Sequence, residues 1–197
     1  MFLNFMKRFS SVLYVQIWEE RLKVTDVDND ESFDDLPIVV IQTQEKGKKV
    51  ISGIGKRAAN SVKQNEIAVN PFSHPRALLS NFYVGEKLLQ HAFKSLGSIK
   101  SFRPRPKVVM HPMEKTEGGL TAIEERAFRE LALGAGAIDI KIHVGKPLNT
   151  NGFQFDEFQE ENKEGIYNED TKQSFSYIAT FLIYFFIVIF AVWYFGG

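Results

Sequence analysis

Three stretches of this 197-residue chain carry residue types that could do chemistry at close quarters. The first, GIGKRAANSV at Gly53–Val62, begins as a phosphate-binding loop begins, with glycines that let backbone amides approach an anion and Lys56 to neutralise it. It lacks the remaining spacing and the Ser or Thr that should follow the lysine, so it is read as a turn into a short helix. The second, DVDNDESFDD at Asp26–Asp35, offers Asp26, Asp28 and Asp30 at calcium-loop spacing, but Glu31 stands at the glycine position and Pro37 at the twelfth. A solvated acidic turn is the expectation there. The third is a scatter of four histidines, His74, His91, His111 and His143, without metal-ligand spacing. His111 and His143 could meet near strand ends, and surface histidines, alone or paired, are expected.

Other chemistry is thinly supported. Ser10, Ser11, Ser73 and Ser80 have no nucleophile-elbow context, and Glu124 and Glu125 favour a helix N-terminus electrostatically. The chain has no cysteine, which excludes disulfides, thiolate nucleophiles and zinc–thiolate sites. No catalytic residue, metal site or cofactor is expected. Nor is nucleic-acid binding, because no basic stripe is interleaved with stacking aromatics.

The elements that would position these residues centre on Arg103–Leu148. Lys107–Met110 is an apolar strand that could be buried on both sides, and Ile138–Val144 alternates apolar with polar residues as a strand nearer an edge does. Between them, Thr121 and Glu124 form a capping-box signature and the run GAGA at Gly134–Ala137 supplies a stop. Ile123, Ala127 and Leu131 recur at helical spacing and predict the face that packs on a sheet. A crossover of this length joins parallel strands, so the class is α/β. Upstream, Ser11–Trp18 and Arg21–Asp26 predict a strand pair, Leu36–Thr43 and Lys49–Ile54 two more strands, Ile67–Val69 another, and Tyr83–Leu96 a helix ended by Gly97.

The ends differ from this middle. Residues 1–148 carry 22 basic against 17 acidic side chains, whereas residues 149–173 carry 2 against 7. The second composition predicts an acidic, flexible linker, with Phe153, Phe155 and Phe158 as an alternative docking peptide. From Phe175 to Phe195 run 21 uncharged residues, long enough for the roughly 30 Å hydrocarbon core of a bilayer. A transmembrane tail anchor over 174–197 is therefore expected, with Phe175, Phe185, Trp193 and Phe195 among the anchor residues and the domain on the cytoplasmic side of the inner membrane. Residues 1–10, with Phe2, Leu3, Phe5, Met6 and Phe9 around Lys7 and Arg8, are a candidate membrane-surface segment.

Three pieces of the chain, VGEKLLQHAFKSL at Val84–Leu96, RPRPKVVMHP at Arg103–Pro112 and IEERAFRELALGAGAIDIKIHVGKPL at Ile123–Leu148, resemble the N-terminal half of the MreB rod-shape-determining family. The resemblance implies a truncated actin-like, ribonuclease H-like domain over residues 11–148, with a mixed sheet flanked by helices. It also implies a degenerate nucleotide site. The family's phosphate loop D-L-G-T-A-N-T corresponds to Gln16–Arg21, where Gln16 replaces the aspartate, Trp18 replaces a glycine that lets amides approach phosphate, and Glu19 and Glu20 add repelling charge. The family's E-E-P becomes Gly145, Lys146 and Pro147, without the carboxylate that positions the attacking water.

The function expected on these grounds is a non-enzymatic, membrane-anchored MreB-like scaffold or adaptor in cell shape or cytoskeletal organisation. Its partners would be the lipid bilayer and a full-length actin-like filament protein or a membrane assembly complex. One alternative is an actin-like cytoplasmic platform of a pilus or type II secretion assembly. Another is a partial ATPase completed by a second chain.

Overall fold

A computed structural model of the chain describes residues 10–97 and 104–160. Its centre is a five-stranded mixed sheet of β1 (Val12–Ile17), β2 (Leu22–Asp26), β3 (Glu31–Asp35), β7 (Lys107–Pro112) and β8 (Asp139–Ile142), in the order β3-β2-β1-β7-β8. Strands β1, β2 and β3 form an antiparallel meander, while β7 lies parallel to β1 and β8 parallel to β7. The predicted strand pair, the parallel crossover and the edge position of Ile138–Val144 are all found.

A second, antiparallel sheet of β4 (Val39–Thr43), β5 (Lys49–Ile54) and β6 (Glu66–Val69) has β4 in the middle. Between β5 and β6 stands the short helix α1 (Gly55–Ala59). The acidic stretch after Asp26 is only partly a turn: its second half, Glu31–Asp35, is the edge strand β3.

Helices α2 (Phe82–Ser95) and α3 (Ala122–Ala135) cover one face of the larger sheet. Asn81 caps α2 by accepting from the Val84 amide at 3.1 Å. At α3 the predicted capping box is complete: Thr121 Oγ1 accepts from the Glu124 amide at 3.3 Å, and Glu124 accepts from the Thr121 amide at 2.9 Å. Gly136, at φ 117°, ends the helix in the left-handed conformation that glycine tolerates best. The helices approach closely where small residues allow it, and a Cβ on Gly85 would come 3.3 Å from Leu131 Cδ1.

The packing face of α3 differs from the expectation. Phe128, Leu131, Ala132 and Ala135 are buried, whereas Ile123 is 82% exposed. Two stripes satisfy helical spacing, and the large Phe128 ring wins the sheet because it buries more apolar area than Ile123 could.

Alternation along the strands sends Leu13, Val15, Ile17, Val108 and Met110 toward the helices, and Val12, Tyr14, Val109 and His111 to the opposite face. That second face is covered by residues 153–158. Phe155 is 4% exposed and packs with Val12, Tyr14 and Val109, while Phe153 and Phe158 pack beside them. The linker expectation is thus corrected for residues 149–160, which return to the sheet as a strap. Ammonium groups of the sheet hold it there, with Lys107 Nζ 2.7 Å from Asp156 and Lys141 Nζ donating to the carbonyl oxygens of Phe155 and Phe158. Phe175, Phe185, Trp193 and Phe195, and with them the expected transmembrane span, lie outside the described residues, as do residues 1–9. Among the described residues no helix is long and apolar enough to cross a membrane.

Candidate functional site

The parallel strands β1, β7 and β8 end on one side of the sheet, where α/β folds place ligands in the crevice beyond the strand ends. The crevice here is a cleft of about 550 Å³ lined by Trp18, Glu19, Glu20, Arg21, Glu114 and Lys115. Ile17 pairs with Leu22, so Trp18–Arg21 form the tight turn between β1 and β2, closed by the Trp18 amide donating to Arg21 O at 2.9 Å. Its groups already have partners. The Glu19 amide donates to Glu114 Oε2 at 2.7 Å, and the Glu19 carbonyl accepts from Asn70 Nδ2 at 2.7 Å. The Glu19 carboxylate pairs with Lys115 Nζ at 2.8 Å, and Lys115 also donates to His74 O at 2.6 Å.

The other side of the turn is cationic over an indole. Arg21 forms an ion pair with Asp34, and its guanidinium lies 5.3 Å from the Trp18 ring centroid. The hydrogen bond from Arg21 holds the Asp34 carboxyl below its ordinary range and raises Arg21 in turn. Gln16 is buried at the end of β1, with Nε2 3.8 Å from Met113 Sδ. A backbone amide that could face an anion therefore faces a carboxylate of the chain itself; of the sequence-predicted residues, Trp18 and Glu19 line the cleft, whereas Gln16 lies within β1 and turns to Met113.

The two other stretches singled out in the sequence are similarly self-satisfied. At the start of α1 the Lys56 amide donates to Asp35 Oδ1 at 2.8 Å. A Cβ on Gly55, at φ +82°, would lie 2.0 Å from Asp35 Oδ2, so the carboxylate occupies the approach an anion would use. In the acidic turn, fully buried Asp26 accepts from the Asp28 and Asn29 amides at 3.1 and 3.2 Å, and Asp28 accepts from the Val12 amide at 3.0 Å. These carboxylates stabilise the turn. Among the described residues no three His, Cys, Asp or Glu side chains form a cluster able to hold a metal ion.

A polar chain that sequence reasoning missed runs under the strap. Tyr14 Oη accepts from the Leu148 amide at 3.1 Å and contacts His111 Nδ1 at 2.5 Å, and His111 Nε2 lies 3.1 Å from Gly145 O. With Gly145 O an acceptor, the consistent assignment has Nε2–H donating to it and Tyr14 donating to Nδ1. The ring is thus neutral. His143 lies across it, with ring centroids 4.4 Å apart, and Phe158 packs against His143 in turn.

His111 and His143 do meet, but His111 is 0% exposed, which corrects the expectation of surface histidines. Burial, with repulsion from His143 added, pushes His111 down to about 4. Burial also raises Tyr14. The signal for Tyr14 was its position in β1, two residues from the partner of His111 in the parallel register. At the strand end, Gly145, at φ 117°, offers its carbonyl to His111.

No family model matches the chain. MreB of Haemophilus influenzae, a cell shape-determining protein, is 31% identical over 119 residues, or 58% of this chain and 32% of that protein. MreB of Escherichia coli K12 is 33% identical over 108 residues, covering 52% and 29%. The chain spans about a third of the length of these curated relatives. Among solved structures, MreB5 of Spiroplasma citri bound to AMPPNP superimposes with a TM-score of 0.54 at 14% identity, over 68% of this chain and 38% of that one. A non-polymerising MamK mutant bound to AMPPNP gives the same TM-score and identity over 68% and 41%. The described domain thus has the actin-like fold in part. The uncharacterized protein YjaA of Escherichia coli K12 is 30% identical over 130 residues, covering 64% of this chain and 76% of YjaA. At that coverage the chain belongs to the same family as YjaA, as a protein that carries part of an MreB-like, actin-like domain.

Proposed function

We propose that the chain is a non-enzymatic MreB-like adaptor that docks an actin-like filament protein and tethers it to the inner membrane from the cytoplasmic side, in cell shape or cytoskeletal organisation. The observation that carries the non-enzymatic part of this reading is the contact between the Glu19 amide and the Glu114 carboxylate in the strand-end cleft, and the filament partner is drawn from the similarity to MreB. An anion-binding loop needs free amides and a net attractive field, whereas here the Glu19 amide is already bonded and the cleft sets three carboxylates, Glu19, Glu20 and Glu114, against two cations, Arg21 and Lys115, that are already paired. The tether rests on the uncharged run Phe175–Phe195.

The role can be tested by reconstituting the full chain into lipid vesicles and adding a purified, filament-forming MreB. The expected result is flotation of the filament protein with vesicles that carry the chain and not with bare vesicles. Equal flotation with both, when the chain is present in the membrane, contradicts the adaptor role.

A further inference from the structure

The outer edge of β8 is closed by two side chains in place of a neighbouring strand. Alternation along β8 turns the main-chain groups of Ile140 and Ile142 away from β7, which would leave them as a free edge. Arg129, from α3, donates through Nη1 to the Ile140 carbonyl at 3.0 Å. The Ile142 amide donates to Glu160 Oε1 at 2.5 Å, and Arg129 Nη2 pairs with Glu160 Oε2 at 2.5 Å. One donor and one acceptor, joined to each other, thus span the carbonyl of one residue and the amide of the residue two later. In a parallel ladder a single residue of the incoming strand makes that pair of bonds.

We propose that the β8 edge is a docking site for an extended acidic peptide that adds as a parallel strand, and that Glu160 holds the site shut from within the chain. The parallel pattern disfavours symmetric pairing with a second copy, since strands related by a two-fold axis run antiparallel. The chemistry of the peptide follows from the face on which Arg129 stands. The bridging residue shares the sheet face of Lys141, beside Phe158, and takes an apolar side chain. Its neighbours share the face of Ile140 and Ile142, where Arg129, released from Glu160, needs a new carboxylate. Nothing in the backbone ladder resists the exchange, because Glu160 reaches the edge through its side chain and its strap is held by the Lys141 and Lys107 ammonium groups.

The test uses the full chain in detergent and an eight-residue fluorescent probe, Thr-Val-Thr-Glu-Val-Thr-Val-Thr. One control is N-methylated at the valine after the glutamate, which removes the donor to Ile140, and a second has lysine in place of the glutamate. Glu160→Ala is expected to bind the probe at least about tenfold more tightly than the wild type, with both controls losing that gain. Glu160→Gln, which keeps an acceptor for Ile142 but loses the carboxylate charge paired with Arg129, is expected to give a smaller gain and serves if the alanine variant does not fold. No gain in a folded variant means that the pair only protects the edge, and overturns the proposal. Equal binding of the N-methylated control, or self-association of the variant without probe binding, overturns it as well.

Discussion

The Glu19 amide and the Glu114 carboxylate, 95 residues apart in the chain, meet at 2.7 Å across the mouth of the strand-end cleft. The bond directs a backbone amide of the turn at a carboxylate of the chain itself, and it ties the β1–β2 turn to the segment after β7. Glu114→Ala removes the acceptor and leaves a partly buried amide without one, which should cost about 1 kcal/mol in urea denaturation. Glu114→Gln keeps an acceptor oxygen and should cost less.

Stability should also fall in mild acid because of His111. Its folded-state value of about 4 lies below the ordinary 6.5, so the unfolded chain takes the proton first as pH drops. The contribution from the neutral, buried ring is complete above about pH 6.5, shrinks as pH falls toward 4, and is gone below it. Its full size is about 3 kcal/mol from the two values. Tyr14, His143, Lys107 and Lys141 share this sheet face, and among the described residues no carboxylate accepts from the His111 ring to offset its charge. Denaturation midpoints measured from pH 8 to pH 4 should therefore slope downward, and His111→Gln should flatten that slope.

The strap should be a structural part of the domain. Phe155 is nearly fully buried between Tyr14, Val12 and Val109, so Phe155→Ala should cost about 3 kcal/mol and expose residues 149–160 to limited proteolysis. An ordinary linker would show neither change. Native-state proteolysis with mass spectrometry reads both.

Gly55 provides a sharper backbone test than other positive-φ glycines. Gly55→Ala meets a left-handed φ of +82° and the Asp35 carboxylate at 2.0 Å together, whereas Gly118→Ala meets only a φ of +78° in open space. The first should lose about 2 kcal/mol or more and the second about 1 kcal/mol, by thermal denaturation.

Local signals in the sequence carried much of the fold. Thr121 and Glu124 marked the start of α3, the GAGA run at Gly134–Ala137 its end, and the alternation through Ile138–Val144 marked an edge strand, because each is decided by groups a few residues apart. The packing face of α3 was less legible, since the Ile123 and Phe128 stripes share Leu131 and only the position of the sheet chooses between them. The candidate site was half legible. Gln16, Trp18 and Glu19 were marked by the family pattern, but the partners of Glu19, namely Glu114, Lys115 and Asn70, are brought in by tertiary folding. The strap was misread for the same reason. Its acidic composition matches a solvated linker, and the cations that hold it, Lys107, Arg129 and Lys141, lie up to 49 residues away along the chain.

The proposed role requires the strand-end cleft to be closed to nucleotide by the chain's own groups. Isothermal titration of magnesium and ATP into the full chain, solubilised in detergent, addresses it directly. No saturable binding tighter than about 1 mM is expected, and Glu114→Ala alone should not create it, because Trp18 and Glu20 remain in the cleft. Magnesium-dependent binding of ATP to the wild-type chain at about 10 µM or tighter would contradict the account.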